Sequence, residues 1–252
     1  MDRLTYIGHA TTQLRLAGVT ILTDPLLRGW LGPLRRQVPR PNPAVTETAD
    51  LVLISHLHRD HLDIPSLRRV PAETPLVVPR GASKWARRGG ARDVRELAVG
   101  ETIKLGGVEV TAVAATHDGH RDGAWGAEIA PLGYLLDAGG RKVYFAGDTD
   151  LYEGMSKLAP LDLALLPIWG WGVSIGSGHL DPVRAAKALE LLRPRLAVPI
   201  HWGTLYPVGL RRLRPRQLVD PPLEFERLSR PLAPEVEVRV LPPGSATSLE
   251  LR

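Results

Sequence analysis

Cysteine is absent from the 252-residue sequence. Its absence excludes disulfide frameworks, thiol nucleophiles and cysteine-based zinc sites, although it does not identify the redox compartment. No apolar stretch approaches the roughly 18 residues that a membrane-spanning helix needs. Residues 1–6 do not form the basic and then apolar pattern of a signal peptide. We therefore expect a cytoplasmic protein with no membrane span.

Lysine is scarce: of the 32 basic residues, 27 are arginine and 5 are lysine. The net charge of +5 by itself suits an anionic partner, such as a phosphate ester, a nucleic acid or a membrane surface. A coding bias toward arginine explains the same composition, and no basic run has the length typical of a nucleic-acid-binding tail. The sequence favours a small anionic substrate over a nucleic acid.

Short apolar runs separated by glycine and proline predict many short strands. A helix of about a dozen residues is predicted from Asp181 and Pro182, which suit an N-cap and a first helical position. Shorter helices are predicted at 65–70 and 81–89. One α/β domain over 1–252 is the expected organisation. The predicted strands are 5–7, 12–23 with a turn at Gly18, 51–54, 76–78, 101–104, 107–114, 133–137, 142–146, 163–167, 196–200 and 235–241.

Two segments rich in arginine and proline interrupt this pattern, at 27–48 and 203–233. Arginines cluster at 28–40 in the first segment and at 211–216 in the second. We predict that both segments are loops, and loops commonly carry the groups that contact a substrate.

The strongest motif is His56-Leu57-His58-Arg59-Asp60-His61, which directly follows the apolar strand 51–54. In a compact strand-end loop, His56 and His58 can turn toward one ion, while Asp60 and His61 face a second. Imidazole and carboxylate ligands suit zinc, which we favour, and also manganese, iron or nickel. The motif predicts a site for two divalent ions.

Three further ionisable residues follow apolar strands at other points of the chain. His117 follows 108–114, Asp148 follows 143–147, and His201 follows 196–200. Each one alone is more typical of a surface loop. Their recurrence at strand ends, where side chains project from a rigid sheet, favours membership of the same metal site.

Six motifs carry a family resemblance, and they occur in the family's order. The sequence resembles the metallo-β-lactamase superfamily, and most of all the branch that contains L-ascorbate-6-phosphate lactonase and N-acyl-phosphatidylethanolamine phospholipase D. The resemblance implies a four-layer αβ/βα sandwich of the α/β class. The motifs are Gly8-His9-Ala10-Thr11, Thr23-Asp24-Pro25, His56–His61, Gly147-Asp148-Thr149, Gly178-His179-Leu180-Asp181-Pro182 and His201-Trp202-Gly203-Thr204.

The resemblance also implies roles for individual residues. Asp24 would accept a hydrogen bond from a ligand imidazole, and His9 would lie near the site without a defined role. The segment around His117 departs from the family pattern, so His120 is a rival ligand or a substrate contact. The implied ligands are His56, His58 and His117 for the first ion and Asp60, His61 and His201 for the second, with Asp148 bridging both.

Catalytic and substrate-contacting residues are predicted beside these ligands. Asp60 can orient the attacking hydroxide, and His179 is the candidate proton donor or oxyanion contact, because it lies in a glycine-rich loop before a helix. Trp169 and Trp171 either form an apolar substrate wall or pack against the protein's own segments, and the sequence leaves both readings open.

The sequence thus predicts a metal-dependent hydrolase that uses a hydroxide of a dinuclear site on a small ester, lactone or phosphodiester. One alternative is a nuclease acting on RNA or DNA, which the basic composition suggests. Another is a non-catalytic metal-dependent sensor or scaffold, which the complete ligand set argues against. Assembly into a homo-oligomer is left open.

Overall fold

A computed structural model describes residues 1–121, 126–172 and 175–250. The strands are β1 (Arg3–Gly8), β2 (Thr11–Leu16), β3 (Val19–Thr23), β4 (Trp30–Leu31), β5 (Leu34–Arg36), β6 (Leu51–Leu53), β7 (Leu76–Pro79), β8 (Val94–Leu97), β9 (Thr102–Leu105), β10 (Val108–Ala114), β11 (Leu132–Ala138), β12 (Arg141–Phe145), β13 (Leu161–Pro167), β14 (Pro194–Ile200), β15 (Leu205–Pro207), β16 (Glu237–Val238) and β17 (Ala246–Ser248). The α-helices are α1 (Ala44–Glu47), α2 (Ile64–Leu67), α3 (Ser83–Arg88), α4 (Pro182–Leu192), α5 (Leu210–Leu213) and α6 (Asp220–Leu232), and 3-10 helices span Glu153–Leu158 and Pro215–Leu218.

Two seven-stranded sheets form the body of the structure. The first has the order β17-β1-β2-β3-β6-β7-β8, and the second has the order β16-β14-β13-β12-β11-β10-β9. Each sheet is mixed: pairs such as β1–β2 and β10–β11 are antiparallel, whereas β3–β6–β7 and β12–β13–β14 run parallel. Consequently, the carboxyl ends of several strands meet at one edge of each sheet.

The hydrophobic core lies between the sheets and extends under the helices. Leu14 and Leu51 of the first sheet share one buried cluster with Tyr134 and Leu165 of the second. A second cluster fills the space between the first sheet and α3, where Trp85 is buried. Helices α4 and α6 pack together, and α4 also contacts β13. The four-layer αβ/βα sandwich implied by the family resemblance is confirmed.

Helix α4 begins where the sequence predicts. The Asp181 carboxylate accepts a 2.7 Å hydrogen bond from the Arg184 backbone N–H, and Pro182 occupies the first helical turn. The cap satisfies a backbone donor that has no partner within the helix, while proline supplies a preset φ. The helix ends at Arg193, which adopts a left-handed conformation with φ 43°.

The prediction that both arginine- and proline-rich segments are loops was wrong. β4 and β5 of the first segment pair with β15 of the second in a three-stranded sheet, which we call the cap sheet. Its inner face buries Leu31, Leu34 and Leu205 against Leu26. Because the two partners are about 170 residues apart in sequence, local patterning could not reveal the pairing.

The second segment also contains helix α6, which the sequence analysis missed. Pro221 and Pro222 lie in the first helical turn, where proline is tolerated because those N–H groups have no helical partner. Two short strands, β8 and β17, were missed as well. The predicted strand 235–241 is reduced to Glu237–Val238.

Strand ends of both sheets lie together at one side of the sandwich. The backbone N–H of His201, after β14, donates a 2.8 Å hydrogen bond to the carbonyl of His9, after β1. Leu132 N–H, at the start of β11, likewise donates to the Ser55 carbonyl, after β6. These bonds join the two sheets where the predicted metal ligands emerge. Among the described residues, no helix has the length and apolar character needed to cross a membrane.

Truncation of the core should cost stability in proportion to burial. Leu165 is fully buried in β13 between Phe145 and Val198 of the neighbouring strands. We expect Leu165→Ala to lower the free energy of unfolding by about 2–5 kcal/mol, because the substitution leaves a cavity. Leu223→Ala, at a position 59% exposed, is the control and should change it by less than about 0.5 kcal/mol. Denaturant titration followed by circular dichroism measures both, and equal losses would contradict the assigned core.

Candidate metal centre

All seven predicted metal ligands converge at the shared edge of the two sheets. The ligand atoms of His56, His58 and His117 lie within 4.8 Å of one another. A second such group contains Asp60, His61 and His201 together with His9. The family resemblance implied the same two triads for two ions, and the structure brings the members of each triad together.

The first triad has the spacing of a metal site. His58 Nδ1 lies 3.0 Å from His56 Nε2 and 3.0 Å from His117 Nε2. In a tetrahedral site with bonds of about 2.0–2.1 Å, neighbouring ligand nitrogens are about 3.3 Å apart. The three nitrogens therefore lie close to the separation that one shared cation requires.

Asp148 lies between the first triad and the second. Its Oδ2 is 3.2 Å from His61 Nε2 and 4.0 Å from His117 Nε2, and its Oδ1 is 3.3 Å from His201 Nε2. His61 Nε2 and His201 Nε2 are 3.1 Å apart. Oδ1 is buried and has no hydrogen-bond partner. A buried carboxylate oxygen without a donor is costly, and a cation held by Asp148 would satisfy it.

Hydrogen bonds fix which ring nitrogen each imidazole presents. Four Nδ1–H groups point away from the centre toward oxygen acceptors, so each Nε2 presents its lone pair to the centre. His58 alone faces the centre with Nδ1. The four bonds are His56 to Ser55 Oγ at 2.8 Å, His61 to Asp24 Oδ2 at 2.7 Å, His117 to the Gly178 carbonyl at 2.7 Å, and His201 to the Trp169 carbonyl at 2.7 Å.

Asp24 and Ser55 form the buried support of this arrangement. Asp24 Oδ1 accepts from the Ser55 backbone N–H at 2.7 Å, and Oδ2 accepts from the Ser55 hydroxyl at 2.6 Å and from His61. Both residues are fully buried. The sequence analysis assigned Asp24 this kind of contact through the family resemblance. It did not single out Ser55, although Ser55 directly precedes the His56 motif.

The electrostatics favour the protonation states that bind a cation. Burial alone would raise the pKa of Asp148, but His201 and His61 beside it hold that pKa well below its ordinary value. Burial lowers the pKa of His201 to about 3. His61 is the exception, because Asp148 and Asp60 outweigh its burial and raise its pKa well above the ordinary value. A cation bound at its Nε2 would replace the proton that these carboxylates otherwise hold there.

Three residues of the centre have strained backbones. His9, Asp24 and His201 adopt positive φ angles of 59°, 33° and 64°, a region that side chains with a Cβ rarely occupy. Each one directly follows the end of a strand. The sharp left-handed turn there redirects the side chain, and strain of this kind accumulates where function requires a set geometry.

His9 acquires a defined contact in the structure. Its Nε2 lies 2.9 Å from Asp60 Oδ2, and its ring centroid is 3.8 Å from that of His201. Trp171 Nε1 donates a 3.2 Å hydrogen bond to the same Asp60 oxygen. His9 and Trp171 thus both contact the Asp60 carboxylate, although the sequence analysis assigned no defined role to His9.

The two remaining histidines differ in position. His179 Nε2 lies 3.8 Å from Asp148 Oδ2, and its Nδ1 is buried and without a hydrogen-bond partner. His120 pairs with Asp118 at 2.6 Å and belongs to neither triad. The geometry therefore supports His117 rather than His120 as the histidine of this segment that faces the centre.

A cavity of 690 Å³ opens above the centre. Leu31 and Leu34 of the cap sheet line one part of it, and Trp171 lines another. Trp169 instead packs against the hydrophobic core, a position that neither alternative described, and the role of Trp171 as a substrate wall stays a prediction. Arginine side chains also line the cavity: Arg28, Arg59 and Arg121.

The Asp24 support generates a prediction for metal affinity. In Asp24→Asn, one carboxylate oxygen becomes an NH₂ group, which faces either the Ser55 N–H or the donors of Ser55 Oγ and His61. Because the hydrogen bond from His61 to Asp24 orients the ligand imidazole, we expect metal affinity to fall about 10–100-fold. Competition with a chromogenic chelator measures it. Asp50→Asn, whose carboxylate accepts from the Thr20 N–H at an exposed position, is the control. Unchanged affinity in Asp24→Asn would contradict the supporting role.

Comparison with known proteins agrees with this geometry. A model of the beta-lactamase superfamily domain matches residues 19–202, which include all seven predicted ligands. A UPF0173 metal-dependent hydrolase of Methanopyrus kandleri is 34% identical over 97% of this chain and 98% of that protein. An N-acyl-phosphatidylethanolamine-hydrolyzing phospholipase D of Caenorhabditis elegans is 31% identical over 81% of this chain and 64% of that protein.

Among solved structures, Igni18, a metallo hydrolase from the archaeon Ignicoccus hospitalis, has a TM-score of 0.74 and 26% sequence identity. The match covers 100% of this chain and 99% of that one. The similarity therefore extends over both sheets and the cap sheet. The chain belongs to the metallo-β-lactamase superfamily of metal-dependent hydrolases.

Proposed function

We propose that the protein holds two divalent cations and hydrolyses a small anionic substrate, with a phosphodiester favoured over a carboxylic ester or lactone. One observation carries the proposal: two triads of ligands flank the buried carboxylate of Asp148, whose Oδ2 lies near His61 and His117 and whose Oδ1 lies near His201. A cavity large enough for a small molecule opens directly above them.

The ligand set suits two cations. His56, His58 and His117 would hold the first, and Asp60, His61 and His201 the second, with Asp148 shared between them. Nitrogen-rich triads favour zinc, and manganese, iron or nickel remain alternatives. When bound, such a pair lowers the pKa of a water molecule so that hydroxide is available near neutral pH.

Asp60 is placed to orient the attacking water. Its neighbours His61 and His9 hold its pKa well below the ordinary value against the effect of burial, so the carboxylate is ionised and accepts hydrogen bonds. Its side chain is 14% exposed and lines the cavity. The contacts from His9 and Trp171 prevent it from rotating away from the centre.

His179 is placed to act on the leaving group. It lines the cavity, as Asp60 does, and its ring makes an edge contact with His117 at a centroid distance of 4.6 Å. An imidazole there can donate a proton to the departing oxygen, which makes that oxygen a better leaving group. We assign His179 this role and not that of a ligand.

The cavity walls indicate the substrate class. Arg28, whose guanidinium pairs with Asp63 at 2.7 Å, and Arg59 and Arg121 give the cavity a cationic side. Leu31, Leu34 and Trp171 give it an apolar side. An anionic group beside an apolar one suits these walls. The phospholipase D activity in the name of the Caenorhabditis elegans relative supports a phosphodiester as the bond.

Activity on defined substrates tests this proposal. We expect the zinc- or manganese-loaded protein to hydrolyse bis(p-nitrophenyl) phosphate faster than p-nitrophenyl acetate or a panel of lactones, measured by release of nitrophenolate or acid. Metal analysis should find about two ions per chain. Asp148→Asn should lose both metal and rate, while Asp162→Asn should keep both. Turnover of lactones alone would overturn the phosphodiester assignment. Cleavage of nucleic acid in preference to small esters would favour the nuclease alternative.

The assignment of His179 makes a separate prediction. We expect His179→Ala to lower kcat about 100-fold or more on a phosphodiester with an alkyl leaving group, the usual contribution of general acid catalysis, while the metal content stays that of the parent protein. The loss should be much smaller on bis(p-nitrophenyl) phosphate, because nitrophenolate departs without needing a proton. Loss of metal in His179→Ala would instead identify this residue as a ligand.

A further inference from the structure

We propose that the outer face of the cap sheet, together with residues 208–219, docks on an anionic lipid membrane. This docking surface goes beyond the proposed hydrolysis and does not require it. Its members come from the two arginine- and proline-rich segments, which neither triad of the metal centre uses, apart from the adjoining His201.

One part of each segment has a one-sided charge. Residues 27–46 and 203–219 contain eight arginines and no aspartate or glutamate, and the acidic residues of the two segments lie outside these parts, at Glu47, Asp220, Glu224 and Glu226. Two of these, Arg28 and Arg36, are engaged inside the structure by Asp63 and by backbone carbonyls. The other six are exposed, and among the described residues none of them forms a salt bridge. These six are Arg35, Arg40, Arg211, Arg212, Arg214 and Arg216.

The same segments expose apolar side chains. Trp30 is 50% exposed, Val208 62%, Leu213 79% and Val219 53%. Within the described part of the chain, these are four of the ten large hydrophobic residues that are exposed, although the two segments make up a small share of the sequence. Exposed apolar groups that cluster together mark an interaction surface rather than ordinary surface composition.

Contacts place Trp30 and Arg35 of the cap sheet beside residues 211–217. Trp30 lies opposite Arg35 across β4 and β5, and the Arg35 guanidinium stacks on the indole at 5.5 Å. Tyr206 of β15 lies opposite Arg35, and its hydroxyl donates to the Arg214 carbonyl at 3.1 Å. Arg211 donates to the Gln37 side chain at 3.4 Å. Residues 211–217 therefore adjoin the strand face that carries Trp30 and Arg35.

The docking surface borders the mouth of the cavity. Leu31 and Leu34 line the cavity from the cap sheet, and Gly32 and Pro33 between them lie at its rim. The Val208 N–H donates to the Pro33 carbonyl at 3.1 Å, so the exposed Val208 lies beside this rim. A molecule leaving the membrane at this surface would reach the metal centre by a short path.

The combination of cations and aliphatic groups selects the partner. Arginines attract the headgroups of anionic lipids, and apolar side chains between them enter the boundary with the acyl chains. A single-stranded nucleic acid would instead need several aromatic platforms for its bases, and Trp30 is the one exposed aromatic residue described on this surface. A second copy of the same surface would be repelled, because it carries only positive charge.

Sedimentation with vesicles tests the proposal on the intact protein. We expect binding to vesicles with about one third phosphatidylglycerol and none to pure phosphatidylcholine, with affinity falling as salt rises. The variant Arg211→Gln, Arg212→Gln, Arg214→Gln should weaken the binding roughly fivefold per arginine removed. Leu213→Ala should weaken it severalfold by itself through loss of apolar contact. Neither variant alters the centre, so turnover of a soluble substrate should be unchanged.

The matched control is Arg3→Gln, Arg88→Gln, Arg227→Gln, which removes the same charge from exposed positions outside the docking surface. It should bind vesicles as the parent does. Equal loss in both triple variants would reduce the effect to net charge and overturn the proposal. Absence of vesicle binding by the parent would also overturn it, as would retention on single-stranded DNA in preference to vesicles or self-association that Leu213→Ala abolishes. If the parent binds vesicles as expected but neither it nor any variant hydrolyses a substrate, the result counts against the proposed function alone and not against the docking surface.

Discussion

The metal centre depends on hydrogen bonds that hold the ring nitrogens facing away from it. Four imidazoles donate their Nδ1–H to an oxygen of the protein, and these oxygens belong to a serine, an aspartate and two backbone carbonyls. With that proton placed, each Nε2 presents a lone pair, and several lone pairs converge within about 3 Å of one another. Such convergence is repulsive unless a cation or a proton occupies the middle. The centre therefore favours a positive charge, and the fold holds the ligands together against their mutual repulsion.

The sandwich is what brings these nitrogens together. His56 and His61 lie in the loop after β6 of the first sheet, whereas Asp148 and His201 follow strands of the second. Neither sheet alone holds a complete triad with the shared carboxylate. The backbone bonds between His201 and His9 and between Leu132 and Ser55 fix the separation of the two edges. The packing of the two sheets against each other therefore also sets the geometry of the ligands.

The sequence allowed prediction of the parts of the structure that depend on short-range patterns. The apolar runs before His56, Asp148 and His201 are strands, and the ligands emerge at their ends, as expected. The Asp181-Pro182 cap correctly marked the start of a helix. The cap sheet was missed because β5 and β15 pair over a long sequence distance and are rich in arginine and proline. The carbonyls of Gly178 and Trp169 were missed for a different reason, since a backbone acceptor has no residue identity that a sequence can display.

The left-handed backbones of His9, Asp24 and His201 affect how substitutions there can be interpreted. An alanine at any of the three removes the side chain but keeps the Cβ that makes this conformation unfavourable. The measured loss of activity or metal affinity then combines the missing side chain with a change in backbone conformation. Glycine, which adopts this region freely, and asparagine, which tolerates it, separate the two contributions. At these positions the informative comparison is among glycine, asparagine and alanine, because the backbone is as much a part of the site as the ring or carboxylate it carries.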